Sequence, residues 1–188
     1  DPPEPGARLP RIGEHSGTTP QPTAREPTMH AAGHPAVIQG GMGVGVSGWR
    51  LARAVAAAGG LGVVSGTALD VQLARRLQLG DLAGDLRRSL ARFPYPELVE
   101  RVMQRYFVPG GIAPGTRFAE VARHTLEPSR DLLRLNVLAS FVEVDLAREG
   151  HDGAVGINPL QKIVLPTLPT LYGAHLTDAG YILMGAGI

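Results

Sequence analysis

The chain contains no cysteine. Disulfide scaffolds, thiolate metal sites and cysteine nucleophiles are thereby excluded. Lysine is nearly as scarce, since Lys162 is the one lysine among 18 basic residues; we read this as a GC-rich coding background, not a functional signal. Excess charge of one sign is missing too. With 18 basic against 17 acidic residues the net charge is +1, which gives no electrostatic ground for a nucleic acid or an acidic membrane as partner. No apolar run approaches the roughly 18 residues of a membrane span. No basic-then-apolar export signal opens the chain, so cytoplasm is the default location. Aromatic residues make up 5 % and none precedes Trp49.

What is present suffices for one domain. The chain has 188 residues, 44 % of them apolar and 19 % charged, enough for a sizeable core and unlike a collagen, a coiled coil or a wholly disordered chain. It opens on Asp1 without an initiator Met and closes on Gly185-Ala186-Gly187-Ile188 directly after an apolar run. Both ends are therefore expected to be cut from a longer protein. Residues 1–34 carry Pro2, Pro3, Pro5, Pro10, Pro20, Pro22 and Pro27 without apolar periodicity, which predicts a disordered arm. His30 and His34 have metal-ligand spacing for a helix, but Gly33 and Pro35 argue against one, leaving two solvated histidines.

From Pro35 onward the pattern alternates between strand and helix. Ala36-Val37-Ile38-Gln39 reads as a buried strand. Ser47 reads as the N-cap of a helix over 49–58, with Leu51, Ala54, Val55 and Ala58 on its buried face. Gly59-Gly60 stops it, and 61–65 is a second buried strand. Strand, helix and strand within some 30 residues imply a parallel pair and an α/β fold. Residues 69–127 form a helical insert, with amphipathic helices at 69–79, 81–93 and 96–107 and a Pro/Gly loop at 109–115. Its arginines share those helices with Asp81, Asp85, Glu97 and Glu100, which predicts a solvated outer face and no nucleic-acid surface. A long helix then runs from Pro128-Ser129 to about Glu149, burying Leu132, Leu135, Leu138, Val142 and Leu146. A strand at 154–158, a helix at 168–179 and a strand at 181–184 complete either the N-terminal half of a (β/α)8 TIM barrel or a doubly wound sheet.

The glycines between the first strand and helix are the most informative feature. Gly43-x-Gly45-x-x-Gly48 satisfies the dinucleotide fingerprint. The acidic residue required at the end of the second strand is absent, because that strand closes on Val64-Ser65-Gly66-Thr67 and Asp70 lies in the next helix. The dinucleotide reading fails at its discriminating position. At the carboxyl mouth of a barrel, bare backbone instead lets a flat ring lie against the strand ends. The alternative is that these glycines only make tight turns. Gln39 and Met42 flank the approach, and Ser65-Gly66, Asn158 and Gly185 end the other strands on the same side. His151 and Asp152 precede a strand, on the opposite face, and are poor catalytic candidates.

Five segments carry a resemblance. Val37 through Ser47 and Gly60 through Asp70, followed by Gly150 through Asn158, Leu165 through Pro169 and Leu183 through Ile188, resemble nitronate monooxygenase-like FMN proteins. The branch with a large insert also contains trans-acting enoyl reductases of polyketide and polyunsaturated fatty acid synthesis. The resemblance spans about 35–188. It implies the first half of a TIM barrel binding FMN, with Gln39, Gly40, Gly41, Met42 and Gly43 by the flavin, Ser65, Gly66 and Asn158 around it, and Gly185 after the fourth strand. It also implies that the phosphate-binding glycines and the catalytic histidine lie beyond residue 188, so no catalytic residue is assigned and no metal is expected. The implied reaction is oxidation of an alkyl nitronate with O2. The alternatives are reduction of an enoyl chain held on a carrier protein, or a truncated barrel without activity. The chain alone is expected to be inactive, with unpaired sheet edges, and its oligomeric state stays open. Gly41→Val is expected to weaken flavin binding with little loss of fold.

Overall fold

The computed structural model describes residues 35–184; the expected arm, with His30 and His34, and Gly185 lie outside the described residues. Six helices and three strands follow in the order α1 (Trp49–Ala57), β1 (Gly62–Ser65), α2 (Leu69–Gln78), α3 (Asp85–Leu90), α4 (Pro96–Tyr106), α5 (Arg130–Arg148), β2 (Val155–Asn158), α6 (Thr167–His175) and β3 (Tyr181–Ile182). The strands form one sheet in the order β1-β2-β3, parallel throughout, with Ser65 beside Asn158 and Ile157 beside Ile182. This is a mixed α/β fold. Helices α1 and α5 pack on each other and both contact β1 and β2, so they cover the same face. A strand order without reversal sends right-handed crossovers to one face. It also leaves no topological switch point among the described strands, which is where a dinucleotide would bind.

The first expected strand is different. Ile38 makes a single parallel bridge to Leu61, and Val37 and Ile38 are 64 % and 55 % exposed. The expectation of a buried strand at 36–39 is corrected: among the described residues the segment lies at the sheet's edge, bridged only to Leu61. β3, likewise, spans only Tyr181–Ile182.

Helix α1 presents Trp49, Ala52 and Ala56 to the core, not the expected Leu51, Ala54, Val55 and Ala58; Leu51 is 41 % exposed. The reason is closeness. A Cβ at Gly62 would sit 1.8 Å from the Ala52 carbonyl oxygen, and one at Gly153 2.0 Å from that of Ala56. The helix lies so near the sheet that only small residues fit between them, and the most apolar face is turned aside. α5 buries all five expected residues, Leu132 to Leu146. It also buries Asn136 and Ser140, because α6 packs on its far side, where a Cβ at Gly173 would lie 2.2 Å from the Val137 oxygen, and it buries Glu143 against the start of α1. Nineteen residues long, α5 is about 28 Å in length and forms the spine of the molecule.

The insert is a packed body. The second of its expected helices is shorter than the 81–93 forecast, because Asp81 (φ 42) and Gly84 (φ 73) turn the chain and α3 begins at Asp85. The Asp81 carboxylate accepts from the backbone N–H groups of Leu86 and Arg87, acting as a cap from outside the helix. The irregular stretch after α4 is held by buried Gln78, whose side chain accepts from Ala119 N at 2.6 Å and donates to Ala74 O at 3.0 Å. The insert's arginines do more than face solvent. Arg88 of α3 and Arg92 just after it bridge to Glu149, and Arg92 also to Asp145. Arg53 of α1 reaches Glu149 as well. One carboxylate past the end of α5 thus joins α1 and α3.

Candidate functional site

The carboxyl ends of β1 and β2 stop at Ser65 and Asn158, side by side in register. The chain before α1 crosses these ends and is fastened to them by its own polar groups. Gln39 Oε1 accepts from the Val63 backbone N–H at 3.0 Å, taking the place of a ladder partner that the edge segment no longer supplies. Asn158 Nδ2 donates to Gly40 O at 2.8 Å. The Ser65 backbone N–H donates to Ser47 O, and that of Gly66 to Asn158 O. Gln39, Gly40, Gly41, Met42, Gly43, Ser65, Gly66 and Asn158 are therefore brought to one rim, although 118 positions separate Gly40 from Asn158.

Within the rim the glycines divide by role. Gly41, Gly43 and Gly45 have φ of 65°, 92° and 71°, so all three make turns in a region that side chains avoid. At Gly41 a Cβ would also fall 2.5 Å from Val63 Cγ1 and 3.1 Å from Asn158 Cβ. The expectation that Gly41→Val spares the fold is thus corrected, since the bare backbone there packs on β1. Gly66 is closed in the same way by Pro159, 2.9 Å from its would-be Cβ. Gly40 is open, with no atom within 4 Å, and Met42 stands 75 % exposed nearby. Open space thus remains beside Gly40 and the exposed Met42, whereas the places at Gly41 and Gly66 are filled. The recess between Gly66–Ala68 and Pro159–Thr170 holds about 20 Å³, room for a water and not for a ring.

Ser47 does not cap α1. The helix begins after Gly48 without a side-chain cap from its own segment, and the Ser47 hydroxyl donates to Met42 O at 2.5 Å. The cap comes from α5. Glu143 Oε1 accepts from the Trp49 backbone N–H at 2.8 Å, and Glu143 Oε2 accepts from Arg76 Nη1 at 2.8 Å. A buried carboxylate at the positive end of α1, neutralised by α2, satisfies both. Local sequence cannot show a cap donated from 94 residues away.

His151 behaves as expected of a residue at the amino end of a strand. Its Nδ1 accepts from Gly153 N–H and its Nε2 donates to Ala147 O, closing the turn between α5 and β2. Asp70 was set aside as a ribose ligand, and its partner is now visible. It is buried at 4 % exposure and meets His124 Nε2 at 2.9 Å. Nδ1 of His124 is buried without a partner. Spacing alone could not have found a pair 54 positions apart.

A larger cavity, about 450 Å³, opens between α4, the start of α5 and residues 121–122. Leu98, Val102, Leu132 and Leu135 line it, and Arg101, Arg105 and Arg134 share its walls. Tyr106 also lines it; burial raises its phenol above the ordinary value, opposed by Arg105 and reinforced by Asp70 and Asp131. No group of three or more His, Asp or Glu suited to a metal occurs among the described residues. No described helix is long and apolar enough to cross a membrane. No family model, curated protein or solved structure matches the chain.

Proposed function

We propose that this chain supplies the first half of a (β/α)8 barrel to an FMN-dependent oxidoreductase that oxidises an alkyl nitronate with O2. The observation that carries the reading is the convergence of Gln39, Gly40, Met42, Ser65 and Asn158 on the carboxyl rim of a parallel sheet whose order never reverses. In α/β folds of this kind the carboxyl rim is where ligands bind. Gly40, with open space where a Cβ would stand, and the exposed Met42 would hold the ring. Asn158 positions the Gly40 backbone through its amide, and Gln39 fixes the edge of β1. When bound, FMN supplies the two-electron redox chemistry that no side chain here provides.

A second reading has its own support. The insert is a packed body with a cavity of about 450 Å³, which favours a bulky or carrier-borne substrate and hence reduction of an enoyl chain. The native protein, purified from its source without added flavin, decides between these. The nitronate reading expects bound FMN and O2 consumption with an alkyl nitronate. NAD(P)H-dependent reduction of an enoyl thioester, with no response to nitronate, would establish the second. A colourless protein that ignores FMN and binds NAD would overturn both.

A further inference from the structure

We infer that the cavity between α4 and α5 is a binding site for an amphiphilic carboxylate, an anionic head on an unbranched apolar tail. The site lies on the insert and shares no residue with the carboxyl rim, so the proposal does not depend on the flavin reading. Its volume of about 450 Å³ falls in the ordinary range of small-molecule pockets, roughly 300–1,000 Å³.

The charge pattern identifies the ligand class. Arg101 and Arg105 both line the cavity, and their i, i+4 spacing on α4 sets them side by side on one helix face. Like charges at this spacing repel and cost stability, and a bound anion between them offsets the repulsion. The arginines of α3 and of the turn after it have acidic partners. Arg87 is paired with Asp81, Arg88 with Asp85 and Glu149, and Arg92 with Asp145 and Glu149. Arg134, the third cation of the cavity, is held by Asp131 at 3.2 Å. Arg101 and Arg105 have no ion pair among the described residues; Arg105 has only the face of the Tyr106 ring, 5.4 Å from its centroid. Asp131 is the one carboxylate in the cavity lining and is already engaged. Two unmatched guanidiniums beside a cavity present the fork geometry that a planar carboxylate accepts.

The interior determines the rest of the ligand. Behind the arginines lie Leu98, Val102, Leu132 and Leu135, of which Val102, Leu132 and Leu135 are buried. This apolar lining offers a small inorganic anion nothing, whereas an alkyl tail gains about 0.8 kcal/mol per buried CH2.

The test is calorimetric titration of the full chain with butanoate, hexanoate, octanoate and decanoate, and with inorganic phosphate and decylamine as controls. Affinity is expected to rise about three- to fourfold per added CH2, the fold-change equivalent of about 0.8 kcal/mol, until the cavity is full. Arg101→Gln/Arg105→Gln is expected to weaken decanoate at least tenfold while the denaturation midpoint without ligand does not fall, both side chains being exposed and their mutual repulsion removed. Should that variant fail to fold, a decanoate-dependent rise of the unvaried chain's unfolding midpoint, absent with decylamine, supplies the same evidence. Absence of saturable decanoate binding, equal binding of phosphate or decylamine, or affinity independent of chain length would each overturn the proposal.

Discussion

Removing the Glu143 carboxylate tests the account of how the helices are joined to the sheet. Glu143 is 3 % exposed and has two charged or polar debts to settle: it receives the first free N–H of α1 at Trp49 and the guanidinium of Arg76, each at 2.8 Å. In Glu143→Gln the amide oxygen still accepts from Trp49, and what disappears is the charge opposite Arg76. Exchanging a charged hydrogen bond for a neutral one costs about 1–2 kcal/mol. In Glu143→Ala the Trp49 N–H is buried without an acceptor, the half-buried Arg76 keeps only Gln72 Oε1 as partner, and a void remains. Breaking a fully buried pair from one side costs about 3–5 kcal/mol, and the lower end of that range applies because Arg76 keeps 30 % of its side chain in water. With a urea m-value of about 2 kcal/mol per M, typical for small proteins, the midpoint should fall by about 0.5–1 M for Gln and about 1.5 M for Ala. Equilibrium urea denaturation followed by circular dichroism and by the fluorescence of Trp49 gives both numbers. An Ala variant less than about 1 kcal/mol below the parent, or Gln and Ala costing the same, would refute the reasoning that the carboxylate caps α1.

Three other outcomes are expected. Gly40→Ala should leave stability within about 0.5 kcal/mol of the parent, whereas Gly41→Ala, at φ 65° and against Val63, should lose about 1–3 kcal/mol; thermal melts compare them. Gly62→Ala places its Cβ 1.8 Å from Ala52 O and should prevent α1 from docking, seen as loss of the cooperative transition. Hydrogen bonding from Arg88, above all, holds Glu149 below its ordinary value of 4.5 despite partial burial. Its folded value lies below its unfolded one, so its contribution is complete above about pH 4.5 and is lost as the pH falls through the folded value. Unfolding midpoints should decline more steeply below pH 4.5 in the parent than in Glu149→Gln.

Much of the fold follows from periodicity and punctuation. Leu132, Leu135, Leu138, Val142 and Leu146 recur at helical spacing and are all buried in α5, and Ser129 caps that helix by accepting from Leu132 N–H. Gly59-Gly60 and the short apolar run after it mark the end of α1 and the start of β1. The rim, too, was visible in outline, because a strand's last residues necessarily share an end with those of its parallel neighbours. Nothing local specified which face α1 would bury. The apolar stripe of Leu51 and Val55 competes with the small pair Ala52 and Ala56, and the approach of Gly62 and Gly153 from elsewhere in the chain decides for the small pair. The same holds for the cap from Glu143, the Asp70–His124 pair and the arginine-lined cavity. Each joins groups tens of residues apart, and sequence spacing carries no information about such a meeting until packing sets the distance. Glycines packed against a neighbour and glycines facing open space also share one signature in sequence. Only the neighbours of the missing Cβ tell them apart, with Val63 filling the place at Gly41 and open space at Gly40.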